Sequence, residues 1–295
     1  GRPDRSPGTW PMATEGPTLL VDGAGHGLGA AIARRADAAG WTVGVLDRDA
    51  AAAARTADAL GAHGVALPAD ITDEASVEAA LDALAESTGS PAPDAVVCNA
   101  GIVRFGPLLD ATLDDWSATV DVNLTGTFIT ARAVARRMVA AGRPGSIVTI
   151  TSMNGVAPGP NSGAYGATKA GVARLTQQMA LEWGPYGIRA NAVAPGLIDA
   201  GMSEPIYADA EIRQLRAARV PLGRLGRGDA VVTVLLFGPD DVAAVVLFLL
   251  SEAADYVTGT EVLVDGGVTM SVIATLPRPR DVDSVGPTPT RTARP

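Results

Sequence analysis

The chain has 295 residues, 47% hydrophobic and 19% charged, which suits one large domain with a sizeable core. A net charge of −9 and a pI of about 4.7 argue against a nucleic-acid partner, because phosphate binding needs a basic face, and 4% aromatics leave little material for base stacking. The one cysteine, Cys98, lies in an apolar run and reads as a core residue, so no disulfide within the chain and no cysteine metal site is expected; His26 and His63 have no ligand spacing. The longest apolar run, Val242 to Leu250, is too short to span a bilayer, and the N-terminus has no signal-peptide core. The expectation is a cytoplasmic enzyme with no metal, membrane or nucleic-acid partner.

Residues 1–16 are rich in Pro, Gly and charge without periodicity and are expected to form a disordered leader. Thr18 to Asp22 is a short apolar run ending in Gly23-Ala24-Gly25-His26-Gly27-Leu28-Gly29, and an Ala-rich helical stretch follows from Ala30 to Ala39. A strand, a glycine turn and a helix in that order make a dinucleotide-binding start. The glycines permit the tight turn and let the backbone approach a pyrophosphate at the helix N-terminus. The turn residues Gly23, Gly25, His26, Gly27, Leu28 and Gly29 are therefore assigned to the cofactor. A second strand, Trp41 to Leu46, ends in Asp47, eighteen residues after Gly29. A carboxylate there accepts hydrogen bonds from ribose hydroxyls and repels a 2′-phosphate. That favours NAD, with NADP the lesser alternative, although Arg48 next door pulls the other way.

An Ala-rich helix (Ala50 to Leu60) and a strand (Gly64 to Leu67) lead to Asp70-Ile71, and Thr72-Asp73-Glu74 reads as a capped helix start running to about Ser87. A buried strand, Asp94 to Cys98, ends in Asn99-Ala100-Gly101. From Leu113 to Ala141 the pattern is helical with an interruption at 123–126, where Asn123 is a poor helix former. A strand from Gly145 to Thr151 ends in Ser152; a helix from Ala164 to about Gly184 follows; the strand Ile188 to Val193 ends in Pro195-Gly196. The polar segment 197–220, with Tyr207, Arg213, Arg216 and Arg219, reads as a lid, and the last strand is Glu261 to Val264. Residues 277–295 read as a disordered tail. The alternation of apolar strands with amphipathic helices predicts an α/β fold. It is a single doubly wound Rossmann-type domain over 17–270, with a parallel sheet of about seven strands covered on both faces.

Of the 23 basic residues only Lys169 is a lysine. Lysine is a compact point charge and arginine a planar fork, so a chain this averse to lysine has kept one where an ammonium is needed. Lys169 follows Tyr165 by four residues, which on a helix puts both on one face. A charge at roughly 5 Å in an effective dielectric near 20 is worth about 3 kcal/mol, around two pKa units, and would bring a phenol toward a general base at neutral pH.

Taken together the motifs resemble the short-chain dehydrogenase/reductase family over roughly 18–270. They stand in family order: the glycine turn, Asp70, Asn99-Ala100-Gly101, Asn123, Ser152, Tyr165-x3-Lys169, Pro195-Gly196 and Asp265-Gly266-Gly267. The resemblance implies a hydride-transfer site acting on a secondary alcohol or ketone. In it Tyr165 exchanges the proton, Lys169 lowers the Tyr165 pKa and holds the nicotinamide ribose, and Ser152 orients the reacting oxygen. Asn123 anchors a water beside Lys169. Asp70 with Ile71 meets the adenine, Asn99, Ala100 and Gly101 line the adenosine side, and Pro195, Gly196 and Ile198 complete the cofactor set. It also implies a homotetramer or dimer built on the long helices.

Three positions depart from the family pattern. Asp22 replaces a threonine; a carboxylate there is unfavourable for a pyrophosphate unless it turns away into hydrogen bonds, and it is expected to weaken cofactor binding. Ala200 stands where a threonine usually contacts the cofactor, a loss of about 0.5–1.5 kcal/mol. The apolar insert 228–238 looks like an imperfect copy of 241–248. These departures motivate one alternative, a catalytically weak dinucleotide-binding scaffold or sensor. Arg132, Arg136 and Arg137 motivate another, a 3-oxoacyl-thioester reductase whose basic helix meets an acidic carrier, against the plainer reading of a solvated helix face.

Overall fold

A computed structural model describes residues 16–199, 207–227 and 241–271. The leader up to residue 15, the whole tail segment 277–295, Ala200 and the insert 228–238 lie outside the described residues.

The apolar run after Pro17 forms β1 (Thr18–Asp22), buried at all five positions as a strand covered on both faces must be. It feeds α1 (Gly27–Ala38), then β2 (Thr42–Asp47), α2 (Ala50–Ala59), β3 (Gly64–Pro68), α3 (Glu74–Thr88) and β4 (Ala95–Cys98). The long helical stretch divides into α4 (Leu113–Val120), a π-helical segment (Asp121–Gly126) and α5 (Thr127–Ala140). The interruption read at 123–126 is therefore a widened turn and not a break. β5 (Gly145–Ile150), the single turn α6 (Met153–Val156), α7 (Tyr165–Trp183) and β6 (Ile188–Pro195) follow. Next come a short β7 (Ile198–Asp199), α8 (Ala210–Arg219), β8 (Gly226–Arg227), α9 (Asp241–Leu250) and β9 (Glu261–Val264). The segment read only as a polar lid thus carries helix α8, capped by the Asp209 side chain on the N–H groups of Glu211 and Ile212, and β7 pairs with β8 beside the main sheet.

The main sheet has the expected seven parallel strands, and their order is β3-β2-β1-β4-β5-β6-β9. Strand alternation divides its core. Leu19 and Val21 of β1 face a cluster with Ile32 and Ala36 of α1, Ala53 of α2 and Val246 of α9. Leu20 faces the opposite cluster, with Leu81 and Leu84 of α3, Met138 of α5 and Met179 of α7. Cys98 is buried there, and burial pushes its thiol well above the ordinary value, as a core residue requires. Among the described residues no group of His, Cys, Asp or Glu could hold a metal ion, and no helix is long and apolar enough to cross a membrane.

The predicted start of α3 is capped by Asp73, whose side chain accepts from Ala75 N at 3.0 Å. Its outer face meets α5 through charge. Arg132 reaches Glu74 at 2.7 Å, and Arg137 reaches Glu78 and Asp82 at 2.7 Å each. Two of the three arginines read as a surface for an acidic carrier, Arg132 and Arg137, thus tie α5 to α3, while Arg136 stays exposed at 3.9 Å from Glu74.

Candidate active site

The strand order reverses between β1 and β4, so the connections leaving their C-terminal ends run in opposite directions and open a crevice. A cleft of about 970 Å³ lies along the strand ends. From the β2 and β3 side it is lined by His26, Leu28, Asp47, Arg48, Asp70 and Ile71. At the switch point come Gly23, Gly27, Asn99, Ala100 and Gly101, and on the β5 and β6 side Ser152, Tyr165, Lys169, Pro195, Gly196 and Ile198. Of the residues assigned from the sequence, only Gly25, Gly29 and Asn123 do not line the cleft; each shapes it from behind.

The glycine turn leaves room for a ligand's phosphates. Gly23 has φ +61°, and a Cβ there would stand 2.8 Å from Ala100 Cα; a Cβ on Gly29 would stand 2.6 Å from Asn99 Nδ2. The side chain of His26, at the N-cap of α1, makes no capping hydrogen bond, so the first N–H groups of a twelve-residue helix are left for an anion. Gly25 acts one step back. Its N–H donates to Asp47 Oδ2 at 2.9 Å, while Asp49 N–H donates to Asp47 Oδ1 at 3.0 Å. The carboxylate is thereby fixed at the cleft edge with lone pairs to spare for a diol. Asp70 is held below its ordinary carboxylate value, chiefly by the N–H and hydroxyl of Thr72, at 2.9 and 2.7 Å, against some burial. These residues fit an adenine dinucleotide, with the pyrophosphate at the start of α1 and the adenosine ribose beside Asp47.

Asp22 meets the exception set for it, a carboxylate turned away into hydrogen bonds. Its side chain turns away from the glycine turn, and Oδ1 accepts the N–H groups of Asn99 and Ala100, both at 2.6 Å. It is 1% exposed. Burial pushes its pKa up to about 6, against the pull of these two N–H groups and the charge of Lys169. Oδ2 and the hydroxyl of Thr130 are both buried without a hydrogen-bond partner.

Tyr165 opens α7 and Lys169 lies one turn on, so helix geometry alone puts them together, with the ammonium 5.7 Å from the centre of the phenol ring. Lys169 is 3% exposed and donates to Ile150 O at 2.7 Å. Burial pushes its pKa down to about 8, opposed by the charges of Asp22 and Cys98. The phenol does not follow the expected direction: burial raises Tyr165 above its ordinary value, and the Ser152 hydrogen bond only partly offsets this. The ammonium is turned onto the Ile150 carbonyl, away from the phenol oxygen's hydrogen bonding. Ser152 ends β5 as the N-cap of α6, its hydroxyl accepting from Asn154 N at 3.2 Å.

Asn123 is fully buried in the π-helical segment. Its Oδ1 accepts Ile102 N–H at 2.8 Å, and its Nδ2 donates to Ile102 O at 2.9 Å and to Thr168 Oγ1 at 3.1 Å. A buried amide must satisfy both ends, and these bonds do so for the Asn123 side chain. What it holds is the segment after Gly101 and the first turn of α7, hence the floor under Lys169.

Several lining residues carried no assignment from the sequence. Ile102, Val103, Arg104 and Phe105 follow Asn99-Ala100-Gly101 directly, and that adjacency was the available signal. By contrast Tyr207 and Arg216 come from the segment read as a lid over the site; Asn154 comes from α6.

The comparisons agree with this geometry. A family model described as enoyl-(acyl carrier protein) reductase matches residues 23–269. An L-rhamnose 1-dehydrogenase (NAD(P)(+)) of Azotobacter vinelandii is 38% identical over 262 residues, covering 86% of this chain and 97% of that protein. A crystal structure of a gluconate 5-dehydrogenase from Burkholderia cenocepacia, in complex with NADP and tartrate, superposes with a TM-score of 0.77 at 36% identity, covering 88% of this chain and 97% of the other. A 3-ketoacyl-(acyl-carrier-protein) reductase from Brucella melitensis, complexed with NADH, gives 0.75 at 31%, covering 87% and 100%. With the cleft, the glycine turn and the seven-stranded sheet, these matches place the chain in the short-chain dehydrogenase/reductase family of nicotinamide-dependent oxidoreductases.

Proposed function

We propose that the chain interconverts a secondary alcohol and a ketone through Ser152, Tyr165 and Lys169, with Asn123 positioning them, and with NAD rather than NADP. The observation that carries the reading is Lys169: the chain's single lysine, buried, anchored on Ile150 O and one helical turn from Tyr165 at the cleft. When bound, the nicotinamide supplies or accepts the hydride. Tyr165 holds the transferable proton at its Oη. In its protonated form it donates to a ketone oxygen in reduction, and as phenolate it accepts the alcohol proton in oxidation. Ser152, at the end of β5, donates to the same oxygen and stabilises charge developing there. Lys169 keeps a cation at the ribose end of the cleft.

The preference for NAD rests on the fixed Asp47 carboxylate and on Arg48 standing close enough to Asp70 for its charge to lower that acid. Titration with NADH and with NADPH, followed by tryptophan quenching and melting temperature, tests it. Tighter NADPH binding would reverse the assignment, and loss of neither ligand's turnover in Tyr165→Phe would remove the proposed chemistry.

A homo-oligomer built on the long helices is supported by Leu113 and Trp116 of α4, Phe128 of α5 and Leu181 of α7, all exposed in the single chain. Light scattering that reports a monomer would exclude it. The weak-paralogue reading loses the support of Asp22, and its other motives, Ala200 and the insert, lie outside the described residues.

A further inference from the structure

The lid segment places one cation on the β5–β6 side of the cleft. Tyr207 and Arg216 both line the space that contains Ser152 and Tyr165. The Tyr207 side chain is buried, and the Arg216 guanidinium lies 5.7 Å from its ring centre. A face packed on an aromatic ring restrains the fork and leaves its N–H edges free. The other arginines of α8 are differently placed: Arg213 is bound to Asp199, and Arg219 is exposed and off the cleft. Among the described residues Arg216 has no carboxylate partner. Arg104, which lines the cleft from the segment after β4, is engaged with Asp115 at 3.4 Å. The acids that line the cleft are Asp47, Asp70 and Asp121, from the β2 end, the β3 end and the π-helical segment; none comes from the side that carries Ser152, Tyr165 and Arg216.

We infer that Arg216 reads a carboxylate on the substrate, remote from the reacting carbon, so that the substrates are hydroxy acids and the matching oxo acids. A single restrained guanidinium matches a single-charge, planar, two-oxygen anion by paired hydrogen bonds. A phosphate dianion calls for more positive charge than this wall provides. The polar neighbours Asn154 and Ser162 are neutral and add no competing charge. The inference rests on the hydride-transfer reading above and deepens it.

The test is steady-state reduction of 4-oxopentanoate and 5-oxohexanoate against their methyl esters, with cyclohexanone as a neutral ketone, for the wild type, Arg216→Gln and Arg219→Gln. The expected result is a wild-type kcat/KM about tenfold to a hundredfold higher for acid than for ester, carried by KM. Arg216→Gln abolishes that ratio and Arg219→Gln keeps it. Equal use of acid and ester by the wild type, or use of neutral ketones alone, overturns the inference. So does an Arg216→Gln variant that keeps the ratio but binds NADH more weakly, which would assign the guanidinium to the cofactor phosphates. If none of the ketones is reduced, the hydride-transfer reading itself fails, and this one with it.

Discussion

Asp22 and Asn99 brace each other across the ends of β1 and β4. The Asp22 carboxylate accepts the Asn99 main-chain N–H at 2.6 Å, and the Asn99 side-chain amide donates back to Asp22 O and to Gly23 O at 3.1 Å each. The two strands are paired up to Val21 and Val97, and this exchange carries the connection one step further, to the point where the strand order reverses. The switch point is therefore held by side chains where the ladder stops, and the glycine turn inherits its position from that clamp.

Removing the carboxylate leaves the half-buried N–H groups of Asn99 and Ala100 without their acceptor. Asp22→Ala is expected to cost about 2–4 kcal/mol, and Asp22→Asn, which keeps one acceptor oxygen, distinctly less. Urea unfolding at constant slope measures both; a loss below about 0.5 kcal/mol for the alanine variant would show that the brace contributes little.

The buried pair also sets how stability depends on pH. Asp22 is pushed up to about 6 from 3.8, so between those values the folded chain binds more protons than the unfolded one and stability falls as pH rises. Lys169 is pushed down to about 8 from 10.5, so between those values the unfolded chain binds more and stability rises with pH. Between pH 6 and 8 both groups are charged and both costs are present. Melting temperatures across pH should show Asp22→Asn losing the acid-side fall. An unchanged profile would mean the carboxylate is not titrating in that window.

The phenol gives the two reaction directions different pH profiles. Ketone reduction needs protonated Tyr165 and should hold across neutral pH, falling only as Lys169 discharges from about 8 upward. Alcohol oxidation needs the phenolate and should climb with pH. Tyr165→Phe should lower both by about 10²–10⁴-fold while NADH binding survives. Oxidation that peaks near neutral pH would place the base elsewhere.

Asn123 acts through what it holds. Asn123→Ala leaves the half-buried Ile102 N–H and C=O without their side-chain partners, so a loss of about 1–2 kcal/mol is expected together with a fall in kcat. Asn123→Asp keeps the acceptor for Ile102 N–H but not the donor to Ile102 O and Thr168. A variant that loses activity with unchanged stability would point to a direct role in proton movement.

Much of this was legible in the sequence because it depends on local order. Gly23 to Gly29 sits between a buried strand and an amphipathic helix, and Tyr165 and Lys169 meet because four residues make about one turn. Both follow from spacing along the chain, as do the seven strands, each written as an apolar run closed by a polar or glycine residue. Other features depend on residues far apart in the chain. The partners of Asp22 lie 77 and 78 positions away, those of Arg137 55 and 59 away, and the Asp47 carboxylate is set by Gly25, 22 residues earlier. No periodicity records such contacts. The Tyr165 pKa depends on the balance between a nearby charge and lost solvent, and only packed coordinates weigh the two. The chain by itself determined a nicotinamide-binding fold and the residues at its centre. The tertiary structure decided that Asp22 braces the site, that the Asn123 side chain is fully engaged, and that Arg216 of the three lid arginines faces the cleft with no acid partner among the described residues, because each of these depends on burial and on long-range neighbours.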